Sequence, residues 1–132
     1  MIRAVLDTNI FISALFWKGA PYDILQAGLE GRFTIVTSED ILMELEGRLK
    51  HKFHFPERDT NEFLEIIALN AYIVTPNHHM MVVRADPTDN KILECAIAGE
   101  SHFVVSGDRH LLDLCEYGGV KIVNAHAFLS VV

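Results

Sequence analysis

Apolar and polar positions along the chain follow two rhythms that alternate from end to end. Short, mostly apolar runs occur at Ile2–Leu6, in "RFTIV" (32–36), in "AYIVT" (71–75), in "HFVVSGD" (102–108) and in "VKIV" (120–123). Between them, apolar residues recur every three or four positions, the spacing of one helix face. "APYDILQAGLEGR" (20–32) carries Ile24, Leu25 and Leu29, and Gly28 and Gly31 mark its end. "TSEDILMELEGRLKHK" (37–52) puts Ile41, Leu42, Leu45 and Leu49 on one face, behind Thr37 and Asp40 at capping-box spacing. "DTNEFLEIIALN" (59–70) presents Phe63, Ile66 and Ile67 behind a second such pair, Asp59 and Glu62. "TDNKILECAIAG" (88–99) reads as a helix stopped by Gly99, "RHLLDLCEYGG" (109–119) as a short helix and its stop, and "NAHAFLSVV" (124–132) as a terminal helix. A further helix begins near Ile10. "KFHFPER" is a turn broken by Pro56, and "NHHMMVVRADP" (77–87) a loop with a short extended piece.

Short, continuously apolar strands between helices predict a parallel sheet covered on both faces. The 132 residues contain no repeat or linker-like stretch, so residues 1–132 are expected to form a single domain. No apolar stretch approaches the roughly 20 residues that span a bilayer, and no signal-peptide pattern opens the sequence. The expectation is a cytoplasmic protein with no membrane partner. Eleven Lys and Arg against 18 Asp and Glu give a formal charge of −7, which excludes a simple basic-patch nucleic-acid binder. It does not exclude a nucleic-acid enzyme whose acids are neutralised by metal ions. Cys95 and Cys115 form no C-x-x-C and read as reduced, small hydrophobes.

The acids carry the chemical signal. In parallel sheets, ligands sit beyond the carboxyl ends of the strands, near the switch in strand order. Asp7 ends the first apolar run and Asp108 follows the fourth. Each could instead cap the helix after it. Asp89 lies three and four residues before Ile92 and Leu93, which turns it inward with the buried stripe. A first-turn acid also suits the helix dipole, or a cap shared with Asp86. Glu44 and Glu46 flank the apolar stripe of their helix on opposite sides. Helix geometry alone does not choose between them, although Glu46 has Lys50 at the favourable i, i+4 position. Inward carboxylates without basic partners must share protons, raise their pKa values or bind cations. Oxygen-only ligands suit Mg²⁺ or Mn²⁺, and the seven histidines show no zinc spacing.

"VLDTNIFISAL", "ELEGRL", "DPTDNKILECAIAG" and "VVSGDRHLL", in this order over nearly the whole chain, resemble the PIN-domain nucleases, in particular the VapC-like toxins of prokaryotic toxin–antitoxin pairs. The resemblance implies a three-layer α/β/α fold around a short parallel sheet and an Mg²⁺- or Mn²⁺-dependent endoribonuclease. It implies that Asp7, Glu44, Asp89 and Asp108 are the catalytic and metal-holding acids, with Asn9 and Ser106 supporting them. Glu44 is preferred over Glu46 because family members tend to put the acid directly before a core Leu, here Leu45. An RNA substrate, a cognate antitoxin protein and a homodimer are the implied partners, and the helix of Phe63, Ile66 and Ile67 supplies apolar surface for the last. Arg3, Arg84, Lys91 and Arg109 are candidates to meet phosphates. A haloacid-dehalogenase-like phosphatase needs a second acid where Asn9 stands. A response-regulator receiver needs a Lys after its last strand, whereas Lys121 precedes Ile122. The alternative from another class is a catalytically silent PIN-fold module that binds a protein or RNA. Such a module has no use for unpaired inward charge.

Overall fold

The mostly apolar runs pair side by side into one sheet, whose central strands are covered on both faces. The computed structural model describes residues 1–76 and 87–132, with the side chains of 87 and 88 excepted. The loop expected at 77–87, with Arg84 and Asp86, therefore falls almost wholly outside the described residues. The elements in chain order are β1 (Arg3–Leu6), α1 (Thr8–Phe16), α2 (Ala20–Leu29), β2 (Thr34–Ser38), α3 (Glu39–Gly47), a π-helical turn (Arg48–Lys52), α4 (Glu57–Asn70), β3 (Ala71–Val74), α5 (Pro87–Ala98), β4 (Phe103–Val105), α6 (Arg109–Leu114), β5 (Glu116–Tyr117), β6 (Val120–Val123) and α7 (Ala125–Leu129). The sheet order is β3-β2-β1-β4-β6-β5, parallel throughout except for β5. The chain leaves β1 toward β2 and later returns to β4 on its other side, so the switch in strand order falls between β1 and β4. Val5 stands beside Val36 in one register and beside Val104 in the other.

Two glycines show that helices cover both faces. A Cβ on Gly28 would lie 2.5 Å from Ile35 Cδ1, and one on Gly99 would lie 2.5 Å from Val36 Cγ1. Ile35 and Val36 are consecutive in β2 and point to opposite faces. Thus α2 and the end of α5 press on the sheet from opposite sides, each through a residue without a side chain. Phe128 of α7 closes the core edge-to-face on Phe33 (5.0 Å between centroids) and Phe103 (5.5 Å).

Several boundaries differ from the sequence reading. The first strand starts at Arg3 rather than Ile2, and β2 spans Thr34–Ser38 rather than residues 32–36. The helix expected over 37–52 begins at Glu39, capped by Ser38 Oγ, which accepts from the Ile41 N–H at 3.3 Å. Thr37 is a strand residue, so the Thr37–Asp40 capping box does not form. After Gly47, a poor helix former, this helix widens into the π-helical turn. The next helix, α4, starts at Glu57 behind Pro56, whose carbonyl accepts from both the N–H and the hydroxyl of Thr60. Its expected Asp59–Glu62 capping box is replaced by an Arg58–Glu62 pair at 3.3 Å. "CEYGG" is more than a helix stop: Gly118 and Gly119, both at positive φ, turn β5 back onto β6 as a hairpin. Cys95 is buried as expected, its thiol pushed up to about 12 by burial against an opposing hydrogen bond with Ser38. Cys115 is exposed at a positive-φ turn and is not part of the core.

The two glycine environments make opposite demands. Gly28→Ala forces its methyl into Ile35 and should destabilise the fold by about 1–2 kcal/mol, overpacking outweighing the gain in helix propensity. Gly47 has helical φ, and nothing lies within 4 Å of the place a methyl would take there. Gly47→Ala should therefore stabilise by up to about 1 kcal/mol. Urea unfolding of both variants checks the pair of signs.

Candidate functional site

Asp7 emerges directly from β1 at the switch in strand order. It occupies the N-cap position of α1 with extended backbone (φ −62°, ψ 152°), yet its side chain makes no capping bond to that helix. The carboxylate turns across the sheet edge instead. Ser106 Oγ–H, from the segment after β4, donates to Asp7 Oδ2 at 2.6 Å. The Asp7 N–H donates to the Val105 carbonyl at 3.0 Å, which continues the β1–β4 ladder by one rung. Only 6% of Asp7 is exposed.

The Ser106 hydroxyl has two jobs. While donating to Asp7 it accepts from the Asp108 N–H at 2.9 Å. Asp108 is the N-cap of α6: its Oδ1 accepts from the His110 N–H (2.8 Å) and the Leu111 N–H (3.3 Å). The capping role weighed for both acids thus holds for Asp108 and fails for Asp7. Burial pushes the Asp7 carboxyl above its ordinary range; the hydrogen bonds from Ser106 and the Thr8 backbone oppose this, and the negative charges of Glu44 and Asp108 add to it.

Glu44 reaches the same edge from α3. Its Oε2 accepts from Thr8 Oγ–H at 2.7 Å, and its Oε1 lies 3.3 Å from Arg48 Nη2. The other arm of Arg48 donates to Asn9 Oδ1 at 2.7 Å. Glu46 faces the opposite flank, where Lys50 pairs with it at 2.9 Å, the surface ion pair read from the spacing. Asp89 is 4% exposed in the first turn of α5, and Asn90 and Glu94 of that helix are buried with it. Lys91 beside it reaches Asp40 in the first turn of α3 at 3.5 Å, which ties the start of α5 to the edge where β2 ends.

The structure therefore brings Asp7, Ser106, Asp108 and Glu44 together at one sheet edge and buries Asp89 at the start of α5. Among the described residues, no three His, Cys, Asp or Glu side chains gather tightly enough to enclose an ion unaided. Of the candidate phosphate contacts, Arg109 is exposed beside Asp108 and Lys91 is engaged with Asp40. Arg3 stands at the amino end of β1, paired with Glu100 at 3.9 Å, and so is at the opposite edge. The sequence reading passed over Thr8 and Arg48. Arg48 had a usable signal, four residues after Glu44 in the favourable order for a helical ion pair. Thr8 had none, because its contact crosses from α1 to α3.

The profile of the PIN domain family matches residues 3–110. The uncharacterized protein MJ1680 of Methanocaldococcus jannaschii is 33% identical over 95% of this chain and 83% of its own length. Among solved structures, VapBC2 from Rickettsia felis, bound to a DNA fragment from its promoter, is similar with a TM-score of 0.67 and 20% identity, covering 93% of this chain and 98% of that one. PAE2754 from Pyrobaculum aerophilum gives 0.66 and 14%, covering 98% and 88%, and FitAcB from Neisseria gonorrhoeae gives 0.55 and 18%, covering 93% and 98%.

The raised pKa of Asp7 has a thermodynamic sign. A carboxyl that holds its proton more tightly folded than unfolded loses stability as pH rises from 3.8, its ordinary value, through its folded value. Above that window the cost is complete. Asp7→Asn, which keeps an acceptor for Ser106, should melt at the same or a higher temperature than the parent at pH 7 in chelator. Its advantage should shrink as pH falls toward 3.8. Calorimetric melts across that range check both the sign and the window.

Proposed function

The chain belongs to the PIN domain family, and on that premise we propose that it is an Mg²⁺- or Mn²⁺-dependent endoribonuclease and the toxin half of a toxin–antitoxin pair. One observation carries the reading: the Asp7 side chain does not cap its own helix, takes the Ser106 hydroxyl instead, and is buried where the charges of Glu44 and Asp108 bear on it. Such a set is costly to fold around and has an obvious use as an all-oxygen cation site.

The donor set fits a hard divalent ion. Asp7 and Asp108 would be its direct ligands, with Glu44 and Asp89 completing the acidic surround and RNA phosphate or water supplying further oxygens. When bound, such an ion makes water acidic enough to attack a phosphodiester near neutral pH and offsets the charge that builds on the phosphate. The protein residues orient and neutralise. Ser106 fixes one oxygen of Asp7, and the α6 amides fix one oxygen of Asp108. Thr8 holds Glu44, and Asn9 acts through Arg48 rather than on an acid directly. In the absence of a cation, burial and the charges of Glu44 and Asp108 disfavour the ionised form of Asp7. Arg109, exposed beside Asp108, is positioned to meet the RNA backbone.

The likeness to VapBC2 and FitAcB supports an antitoxin partner. A partly exposed aromatic cluster beside Arg48, in which Phe16 packs on Trp17, Phe53 and Phe55, offers apolar surface for it. A homodimer is supported by Ile66 and Leu69 of α4 and Tyr72 and Ile73 of β3, all exposed. Of the expected stripe on that helix, Ile67 is buried in the core and Phe63 half-buried. The partner-free chain should run as a dimer in light scattering at tens of micromolar, and a monomer there rejects that assembly. No described helix is long and apolar enough to cross a membrane.

Cleavage of single-stranded RNA by the purified, partner-free chain in Mn²⁺ tests the activity. Asp108→Asn keeps a good N-cap for α6 but loses the charge, so it should stay folded. It should lose more than the roughly 10–100-fold typical of removing a group that only supports a ligand. Glu44→Gln should cut the rate strongly and Glu46→Gln should leave it nearly unchanged. An active Asp108→Asn variant, or Glu46 outranking Glu44, removes the proposed assignment.

A further inference from the structure

Both oxygens of Glu44 are already occupied by groups of this chain. Thr8 donates to one and Arg48 pairs with the other, while the second arm of the guanidinium is anchored on Asn9. The two side chains of the pair are half-buried, with 31% of Arg48 and 22% of Glu44 exposed. Arg48, from the π-helical turn, thus bridges α3 and α1. Its planar, forked head suits the span in a way that a lysine ammonium does not.

The setting gives this pair a role that its neighbour lacks. Glu46 and Lys50 have the same spacing, a similar exposure and the same charges, but sit two residues on, roughly 200° around the helix. That pair faces away from the acids. Glu44 instead repels Asp7, and its charge is countered locally by Arg48. Any divalent ion that engages Glu44 must share or displace the guanidinium.

We propose that Arg48 is the resident counter-ion of Glu44, competing with the divalent cation for that carboxylate and so setting how much cation the protein needs. The inference rests on the metal-dependent reading above. In the cation-free protein, Arg48 counters part of the charge that Glu44 brings to the edge. A cation on that carboxylate would leave the guanidinium held by Asn9.

Calorimetric titration of Mn²⁺ into the RNA-free protein tests this directly. Arg48→Gln should bind Mn²⁺ about two- to fivefold more tightly than the parent, the factor that corresponds to losing a partly shielded ion pair. Lys50→Gln makes the same charge change on the same turn and should match the parent. In a Glu44→Gln background, Arg48→Gln should have no further effect. Equal affinity in Arg48→Gln and parent, or equal tightening in Lys50→Gln, overturns the proposal. Should Arg48→Gln fail to fold, Arg48→Met carries the test, since it keeps the aliphatic stem and loses the charge. It should also bind more tightly, and parental affinity overturns the proposal. Mn²⁺ binding and RNA cleavage by the parent, with unchanged affinity in the variants, removes the counter-ion role alone. No Mn²⁺ binding by parent or variants removes it together with the metal reading.

Discussion

A buried carboxylate between two parallel strands has to be held, and the Ser106 hydroxyl holds it. That single oxygen donates to Asp7 at the end of β1 and accepts from the Asp108 backbone after β4. The two strands that flank the switch in strand order are thereby joined beyond their last ladder bond. An acid this close to the core would otherwise cost several kcal/mol to leave unsatisfied. The rest of the edge follows from that bond. The Ser106–Asp108 segment is drawn against β1, α6 is started at a fixed place by Asp108, and α3 brings Glu44 within range of Asp7.

The arrangement sets stability against function. Burial and two neighbouring acids raise the Asp7 carboxyl, so the cation-free fold carries a conflict that a carboxamide would relieve. Natural proteins retain such conflicts where a bound group repays them. Glu44 is treated differently from Asp7, because Arg48 counters its charge and Thr8 donates a hydrogen bond to it from within the chain. The three acids thus enter the proposed chemistry in three settings: Asp7 buried and held by Ser106, Asp108 half-committed to a helix cap, and Glu44 paired with Arg48.

Most of the architecture was legible because continuous apolar strands and helical stripes leave few alternatives to a covered parallel sheet. The acids at strand ends were legible for the same reason, since strand order determines where a parallel sheet has its crevice. What the sequence hid was pairing across elements. Thr8 on Glu44 and Arg48 on Asn9 join residues 36 and 39 positions apart, respectively, and no local rule predicts them. The β5–β6 hairpin was hidden because "EY" is too short to show alternation, although the Gly118–Gly119 pair was a turn signal. The two capping boxes failed where a stronger local device won: Ser38 one residue after Thr37, and Pro56 ahead of Asp59.

The most direct measurement is paramagnetic broadening of backbone amide signals by substoichiometric Mn²⁺ in the RNA-free protein. A cation held by Asp7 and Asp108 should broaden the amides of Asp7, Thr8, Ser106, Gly107 and Asp108 first. The broadening should be lost in Asp7→Asn. The β5–β6 hairpin and the Glu57–Glu62 turn of α4 should stay sharp. Broadening centred on that acidic turn, or spread over the surface without preference, would contradict a cation site at the junction of β1 and β4.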